Sequence, residues 1–255
     1  MIKHTIQKLF QRSRLDQYRS LLQLALDKGY IITSLIDWYK HDFYPDKKIL
    51  ILRHDIDSDT EGAYKMYLIE KELGVKSTYY FRWSTMRQDI MKQMHIDDFE
   101  VSLHFETLAS YCIQHKIISQ KQITSDIFDK CLEILKREII TFKNKYWEIS
   151  SICSHGDKRN RQLKIPNHRI IENIPRSDLN ILFEAYDSNI INNFDLYTSD
   201  SSVKNNFQWK NGMDPQDAIM KGRQTICMLT HPRHWNFSIR KKLRSIIVDI
   251  REKLS

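Results

Sequence analysis

Short apolar runs alternate with helix-like segments along most of the chain, and this alternation limits the possible folds more than any other feature of the sequence. Each run is short enough to be one strand, and segments of helical periodicity separate most of them. Such helices provide the crossovers that parallel strands require. The pattern predicts an α/β fold of parallel βα units, with two arrangements open: a closed or nearly closed barrel of about seven units, or an open doubly wound sheet. The predicted strands are 47–52, 77–81, 99–103, 148–153, 180–185, 196–198 and 225–229.

Apolar residues recur at helical spacing between these runs. The helical patterns stop at Gly29 and Gly74, where a glycine favours the end of a helix. No repeat, low-complexity tract or Pro/Gly/Ser-rich linker interrupts the chain, so we predict one domain over 1–255, with 1–45 as an N-terminal helical segment packed on the barrel. The predicted helices are 14–29, 33–38, 60–73, 86–94, 119–143, 169–174, 215–220 and 238–253.

Composition excludes several classes of protein. The 255 residues are 41% hydrophobic and 11% aromatic, which is enough to build a core. No apolar run approaches the roughly 20 residues of a membrane span, so no transmembrane segment is predicted. The 4 cysteines form no CxxC pair, which argues against a zinc ribbon or a disulfide framework. The N-terminus lacks the apolar region of a secretory signal, and we therefore expect a cytoplasmic protein with reduced thiols.

The net charge of +8 is modest and spread along the chain. Its densest cluster lies at 240–244, inside a predicted helix, where a solvated helix face is the simplest interpretation. Attraction to a phosphate-bearing substrate or a membrane surface is the alternative. Because no nucleic-acid-binding motif accompanies the charge, no nucleic-acid partner is predicted.

Polar residues follow most of the predicted strands, at the point where each strand ends. The carboxyl ends of parallel strands in α/β folds face one common site. We therefore expect the aspartates and histidines of these strings to converge. The strings are Arg53-His54-Asp55-Ile56-Asp57, Arg82-Trp83, His104-Phe105-Glu106, Ser154-His155-Gly156-Asp157, Ser199-Asp200 and His231-Pro232-Arg233-His234-Trp235.

The residue types in these strings suit a divalent metal ion. Two histidines and one carboxylate leave coordination positions open for water and substrate, which is the arrangement of a catalytic site. Asp55 and Asp57 are two residues apart and point to the same side if the strand continues that far, so one can bind the metal while the other serves as a base. The alternative for this pair is local: Asp57 or Ser58 could cap the helix that begins near Thr60.

Four of the strings resemble the motifs of the polysaccharide deacetylase-like family, which is NodB-type and related to carbohydrate esterase family 4. They most resemble its divergent branch, whose first motif reads Arg-His-Asp-x-Asp. The resemblance runs from about Lys47 to Trp235 in the expected order. It implies a distorted (β/α)7 barrel and a metal-dependent hydrolase that removes an acetyl group from an N-acetylated sugar or a related amide, in cell-surface polysaccharide biosynthesis. The strings are 52–57, 101–106, 154–156 and 229–235.

The resemblance also implies roles for individual residues. Asp57, His104 and His155 are expected to hold the ion, which is zinc in the first instance and Mn²⁺, Co²⁺, Ni²⁺ or Fe²⁺ as alternatives. Asp55 is the expected general base and His231 the general acid that protonates the leaving amine.

The sequence departs from the family pattern at three points. Ile56 separates aspartates that are usually adjacent, so the base and ligand roles of the pair could be exchanged. The usual second metal histidine falls on Leu108, and His155 is our substitute for it. The usual Arg-Pro-Pro string is absent. The departures leave the second ligand and a classical polysaccharide substrate open, and the sugar could be free, nucleotide-linked or lipid-linked.

A second group of residues is predicted to bind substrate. The two tryptophans could stack on a sugar ring, with core packing as the alternative for each, and the dipeptide His234-Trp235 could be a packing motif at a helix entry. Arg233 and His234 could instead orient His231. The predicted substrate-binding residues are Arg82, Trp83, Asp200, Arg233, His234 and Trp235.

Two other functions remain open at this point. Asp55-Ile56-Asp57 is formally the DxD motif with which nucleotide-sugar glycosyltransferases hold a metal and a diphosphate, although this does not explain the histidines at strand ends. The missing histidine at position 108 favours a catalytically inactive barrel that binds a glycan or a protein. The presence of Asp55 and His231 argues against it, since a binding protein needs neither a base nor an acid.

Overall fold

The computed structural model describes residues 13–43, 46–201 and 207–236. Within these residues strands and helices alternate, as the sequence pattern predicts. The predicted helix at 238–253 and the basic cluster at 240–244 lie outside the described residues. The strands are β1 (Ile31–Thr33), β2 (Ile49–Ile56), β3 (Thr78–Phe81), β4 (Glu100–Phe105), β5 (Ser151–Ser154), β6 (Phe183–Glu184), β7 (Leu196–Ser199) and β8 (Thr225–Thr230). The α-helices are α1 (Leu15–Asp27), α2 (Leu35–Lys40), α3 (Thr60–Glu72), α4 (Gln88–Ile96), α5 (Thr107–Gln114), α6 (Ser125–Lys145), α7 (Lys158–Leu163), α8 (Ser188–Ile191) and α9 (Pro215–Met220).

All described strands pair in parallel and form a single sheet, which confirms the predicted α/β class. The strand order is β6-β5-β4-β3-β2-β8-β7. The short strand β1 pairs with the first half of β2, where Ile31 lies opposite Ile49, and β3 pairs with the second half, where Arg53 lies opposite Thr78. One edge of β2 is therefore shared by two strands in succession.

The sheet is curved into a half-barrel, which agrees with the predicted distorted (β/α)7 barrel. Strands β6 and β7 stand at opposite ends of the strand order, and no backbone pairing joins them within the described residues. In a flat sheet they would lie about 29 Å apart, at about 4.8 Å for each step between strands. Instead the ring of Tyr186, just after β6, lies 6.5 Å from the ring of Tyr197 in β7. We call this side-chain-filled gap between 183–186 and 196–199 the seam.

Strand β2 runs through the middle of the molecule and is buried along its whole length. Its residues alternate between two environments because successive side chains of a strand point to opposite faces. Ile49 and Ile51 pack inside the barrel, in a cluster that includes Tyr80 of β3. Leu50 and Leu52 pack on the outside, in a cluster that includes residues of α1, α3 and α9.

The N-terminal part of the described chain contains a strand as well as the predicted helices. Helix α1 packs against α3 and α9, and β1 joins the sheet. Helix α2 is capped by Ser34, whose side chain accepts a hydrogen bond from the Asp37 amide. Within the described residues no helix has the length and apolar character needed to cross a bilayer.

Candidate functional site

The carboxyl ends of β2, β4, β5 and β8 meet at one end of the barrel and bring the predicted site residues together. The Oδ1 atom of Asp57 lies 3.6 Å from Nε2 of His104 and 3.4 Å from Nε2 of His155. The other carboxylate oxygen, Oδ2, lies 2.9 Å from Nη2 of Arg233 and 3.8 Å from Nε2 of His231. Asp57 is therefore the centre of the cluster, with two imidazoles on one oxygen and a guanidinium on the other.

The environment of Asp57 fits a divalent ion. Its Oδ1 atom is buried and has no hydrogen-bond partner among the described residues. Burying a charged oxygen without a partner costs free energy, and a bound ion would remove that cost. The three donor atoms of Asp57, His104 and His155 all lie within 4.8 Å of one another. Ligands bound at about 2.0–2.2 Å in a tetrahedral zinc site lie roughly 3.3–3.6 Å apart, which matches the two distances above.

The two histidines present the same ring nitrogen to this centre. Nδ1 of His104 lies 3.0 Å from the backbone carbonyl oxygen of Cys153, which leaves Nε2 free as a ligand. Nδ1 of His155 is buried and makes no hydrogen bond in this geometry, and Oε2 of Glu106 lies 3.3 Å from it. Each ring thus has an acceptor behind it, as metal-binding histidines commonly have.

Other groups of potential ligands in the described residues are less suited to an ion. In each of them a side-chain or backbone donor already occupies a carboxylate. Within the part of the chain that the structure describes, only Asp57 has a buried carboxylate oxygen without a hydrogen-bond partner. The other groups are Asp55–His104–Cys153, Asp200–His231–His234 and Glu106–His155–Asp157.

The helix-capping alternative for Asp57 and Ser58 is wrong. The cap of α3 is Asp59, whose side chain accepts a hydrogen bond from the amide of Gly62. Asp57 is therefore free of that local role and faces the site.

Asp55 is held inside the barrel by a buried arginine two residues before it. Nε and Nη2 of Arg53 donate to the two oxygens of Asp55 at 3.0 and 2.9 Å, and the Arg53 side chain is only 1% exposed. The ring of Tyr186 lies 4.4 Å from the guanidinium carbon and completes its enclosure. Burial alone would raise the pKa of the Asp55 carboxyl, but Arg53 and His104 outweigh burial and lower it. Asp55 is thus an oriented carboxylate that stays charged.

His54 points to the opposite face of β2 and links β2 to β8. Its Nδ1 lies 2.6 Å from Oγ1 of Thr230, and its Nε2 lies 2.9 Å from Oε1 of Glu70. Glu70 also accepts from buried hydroxyl groups at the ends of α1 and β3. Because His54 precedes Asp55 and Thr230 precedes His231, this contact fixes the relative position of two predicted catalytic residues.

His231 is supported by the buried carboxylate of Asp200. Oδ1 of Asp200 lies 2.7 Å from Nδ1 of His231, and Oδ2 accepts from the His231 amide at 2.9 Å. Burial raises the pKa of the Asp200 carboxyl, but the hydrogen bonds and charges of His231 and His234 together outweigh burial and lower it well below the ordinary range. Burial lowers the pKa of His231, but the hydrogen bond and charge of Asp200, together with the charges of Asp57 and Asp55, outweigh burial and raise it. The imidazolium form of His231 is favoured.

Asp200 has two further partners from the same loop. Nδ1 of His234 lies 3.1 Å from Oδ1, and the indole Nε1 of Trp235 donates to Oδ2 at 2.8 Å. Burial lowers the pKa of His234 more than Asp200 raises it, which favours the neutral ring. The predicted orienting role of His234 agrees with this contact.

Three of the predicted substrate-binding residues differ in how much of each side chain is exposed. Trp235 is 2% exposed and packs on Tyr18 and Trp209, so its ring has no face for a sugar, and the packing alternative describes it. Trp83 is half-buried against the core at a short 3₁₀ turn. The Arg233 side chain is 46% exposed and stands at the mouth of the site.

Arg82 is engaged with the protein itself. Its Nη1 donates to the backbone carbonyl of Asp57 at 3.0 Å, and its Nη2 donates to Oε2 of Glu106 at 2.5 Å. This agrees with a supporting role rather than with direct substrate binding.

Two residues of the strand-end strings contact the predicted site residues although the sequence pattern predicts no role for them. Arg53 lies two positions before Asp55 and Glu106 two positions after His104. The alternation of a strand places residues two apart on one face, so this spacing is the signal that could have identified both. Leu108, where the family has a histidine, is fully buried in the core.

Comparison with known protein families finds no family profile that matches the chain, and comparison with curated proteins finds no matching relative. Solved structures do match. One is wild-type BA3943, a CE4 family pseudoenzyme from Bacillus anthracis, with 14% identity and a TM-score of 0.44 over 82% of this chain and 63% of that chain. Another is a BA3943 mutant described as a CE4 family pseudoenzyme with restored enzymatic activity, with 17% identity and a TM-score of 0.42 over 82% of this chain and 65% of that one.

This chain thus spans a little under two thirds of the length of these solved chains. CE4 is the carbohydrate esterase family that the sequence motifs resemble. Likeness at this level of identity and TM-score says nothing about activity.

Proposed function

We propose that the site is the active centre of a metal-dependent hydrolase that removes an acetyl group from an N-acetylated sugar or a related amide. The observation that carries the proposal is the buried, unpartnered Oδ1 atom of Asp57 between Nε2 of His104 and Nε2 of His155. The substrate class comes from the motif resemblance. A setting in cell-surface polysaccharide biosynthesis and a cytoplasmic location belong to the same proposal.

Each residue of the cluster has a distinct task in this proposal. An ion held by Asp57, His104 and His155, with zinc the first candidate, would polarise the amide carbonyl and acidify a water molecule. Asp55 accepts the proton of the attacking water at Oδ2, the oxygen that lies 3.6 Å from Nε2 of His104. Its fixed orientation on Arg53 keeps that oxygen at the site.

His231 completes the reaction as the general acid. It delivers a proton from Nε2 to the leaving amine, while Asp200 holds the ring through Nδ1. The raised pKa of His231 favours the protonated imidazole that this role requires. Arg233 at the mouth is available for a substrate hydroxyl or phosphate group.

The geometry favours one assignment of the two aspartates. Both oxygens of Asp55 are paired with Arg53, whereas Asp57 has a free oxygen facing two imidazoles. We therefore assign the ligand role to Asp57 and the base role to Asp55. The same pairing disfavours the glycosyltransferase alternative, because a DxD site needs both carboxylates directed at the metal and the diphosphate.

The first test is metal content. The purified full chain is dialysed against Zn²⁺ and its bound metal is measured by mass spectrometry. We expect about one equivalent, lost in Asp57→Ala and in His104→Ala because each removes a ligand. The matched controls are Asp16→Ala and His115→Ala, which change exposed residues and should keep the ion. Full retention of metal in both ligand variants would contradict the assignment.

The second test is acetate release from a panel of N-acetylated monosaccharides, nucleotide sugars and lipid-linked sugars. We expect release from at least one class, reduced about 10²–10⁴-fold in Asp55→Asn and His231→Ala while both variants retain metal. Metal binding without release from any member of the panel would instead support the inactive glycan-binding barrel, which the buried Leu108 favours.

A further inference from the structure

Glu106 occupies the space between a proposed metal ligand and an arginine. Its Oε2 atom lies 3.3 Å from Nδ1 of His155 and 2.5 Å from Nη2 of Arg82. The side chains of Glu106 and Arg82 are only 19% and 21% exposed. Glu106 is therefore a largely buried carboxylate shared between a cation and an imidazole.

His155 needs such a partner more than His104 does. Nδ1 of His104 faces a backbone carbonyl oxygen, which the strand itself holds in place. His155 follows the end of β5, where its backbone amide donates to the carbonyl oxygen of Phe105 at 2.8 Å. Among the described residues, the acceptor that faces its Nδ1 is Oε2 of the Glu106 side chain. A neutral imidazole that binds a metal through Nε2 carries its proton on Nδ1, so the group facing Nδ1 decides the tautomer and the ring orientation.

Arg82 connects Glu106 to the other side of the proposed metal site. The same guanidinium donates to Oε2 of Glu106 and to the backbone carbonyl of Asp57, at 2.5 and 3.0 Å. It thereby links the support of His155 to the backbone of Asp57. The chain Asp57–Arg82–Glu106–His155 runs behind two of the three ligands.

We propose that Glu106 is a positioning residue that holds His155 in its metal-binding orientation and tautomer, and that Arg82 in turn holds Glu106. This inference rests on the proposed metal site. His155 is our substitute for the metal-binding histidine that is absent at position 108. In this inference Glu106 supplies the support that the His155 ring needs.

The experiment measures Zn²⁺ dissociation constants of the full chain by competition with a chromophoric chelator. We expect Glu106→Ala to weaken binding about 10–100-fold, the usual effect of removing the carboxylate behind a metal-binding histidine. Glu106→Gln should recover much of the loss, because its amide oxygen can accept a hydrogen bond from Nδ1 of His155. The matched control is Glu138→Ala, which removes a carboxylate that accepts a hydrogen bond from Thr107, the first residue of the helix that follows Glu106. This variant should bind Zn²⁺ as the wild type does.

A double-mutant cycle separates positioning from a general structural effect. In a His155→Ala background, Glu106→Ala should cause no further loss of Zn²⁺ affinity, because the residue through which Glu106 acts is gone. The visible spectrum of the Co²⁺-loaded protein should change in Glu106→Ala and stay unchanged in Glu138→Ala. If Glu106→Ala does not fold, the cycle is carried out with Glu106→Gln.

Two results would overturn the inference alone: unchanged Zn²⁺ affinity in Glu106→Ala, or an equal loss in the wild-type and His155→Ala backgrounds. In either case the proposed function stands as long as Asp57→Ala and His104→Ala still abolish binding. If those two variants bind Zn²⁺ as the wild type does, the metal site itself fails, and the inference fails with it.

Discussion

Arg53, Asp55 and Asp57 lie at alternate positions near the end of β2, and their surroundings give them different electrostatic partners. Asp55 has a full arginine counter-charge inside the barrel. Burial raises the pKa of the Asp57 carboxyl, but His104, His231 and Arg233 together hold it well below the ordinary range. Both carboxylates are therefore charged near neutral pH, and only Asp57 has an oxygen left for an ion.

Replacing Arg53 tests how much the enclosed pair contributes to stability. Arg53→Met leaves Asp55 buried without a counter-charge, so we expect the free energy of unfolding to fall by about 3–5 kcal/mol in urea titrations. Adding Asp55→Asn should restore part of this loss, because the unpaired charge is then removed.

The matched control for that experiment is Arg19→Met, since Arg19 pairs with Glu72 on the exposed surface of the molecule. We expect no measurable change in its urea midpoint. Equal effects of the two arginine replacements would show that the buried pair contributes no more to the free energy of unfolding than the exposed pair does.

The site could be predicted in part because its residues lie in strings that end strands. Asp57, His104, His155 and His231 all face one centre, as the strings indicate. What the sequence does not display is which polar neighbour serves which ligand. The pairing of Glu106 with Arg82 depends on the positions of two strand ends, and a one-dimensional pattern carries no distance between them.

At the level of elements, the seven predicted strands are all present, and the pattern failed where segments are short or change helix type. Strand β1 has three residues, too few for any period to appear. Helix α6 begins at Ser125 rather than at 119, because 120–122 form a 3₁₀ turn closed by Ser119. The segment predicted as a helix at 169–174 is largely a 3₁₀ helix, Asn167–Ile171. Helices α5, α7 and α8 were not predicted.

The start of α3 contains a close contact that tolerates no extra atom. A Cβ at Gly62 would lie 2.6 Å from Oδ2 of Asp59 and 3.0 Å from Cβ of Asn236. Asn236 follows the β8 loop and donates to the same Asp59 oxygen at 3.1 Å. Gly62 thus lets the helix cap approach the loop that carries the proposed acid.

We therefore expect Gly62→Ala to destabilise the protein, although alanine is the better helix former by about 1 kcal/mol. Overpacking costs of about 1–3 kcal/mol and the displaced cap outweigh that gain. Thermal unfolding followed by circular dichroism measures the change. Glu61→Ala, at the neighbouring exposed position, should stay within about 0.5 kcal/mol of the wild type. A stabilised Gly62→Ala variant would contradict the close contact.

At the scale of the whole molecule, the outer face of β2 carries a buried charge that links three layers. Glu70 on α3 accepts from Tyr18 of α1 and Tyr79 of β3, and it lies 2.9 Å from His54 of β2. Burial raises the pKa of the Glu70 carboxyl, but His54 and the hydroxyl donors outweigh burial and lower it. The network therefore favours the charged carboxylate in the folded protein.

This shift predicts a pH dependence of stability with a definite sign. A carboxyl whose folded pKa is depressed adds stability above its unfolded pKa of about 4.3, and the contribution is lost as the pH falls through the folded value. We expect Glu70→Gln to be about 2–3 kcal/mol less stable than the wild type at neutral pH, with a difference that shrinks below about pH 4. Urea titrations between pH 7 and pH 3 measure it. A difference that is constant with pH would contradict the assignment, and Glu72→Gln on the surface of the same helix is the control.

The seam has a consequence for how the molecule can deform. Elsewhere the barrel wall is a continuous hydrogen-bonded ladder, but across the seam the described strands meet only through side chains such as Tyr186 and Tyr197. The wall can therefore spread there without breaking a backbone hydrogen bond. Asp200, just after β7, and His155, just after β5, lie on opposite flanks of that line. A small spread at the seam would change the distance between the proposed acid His231, which Asp200 holds, and the proposed metal ligand His155.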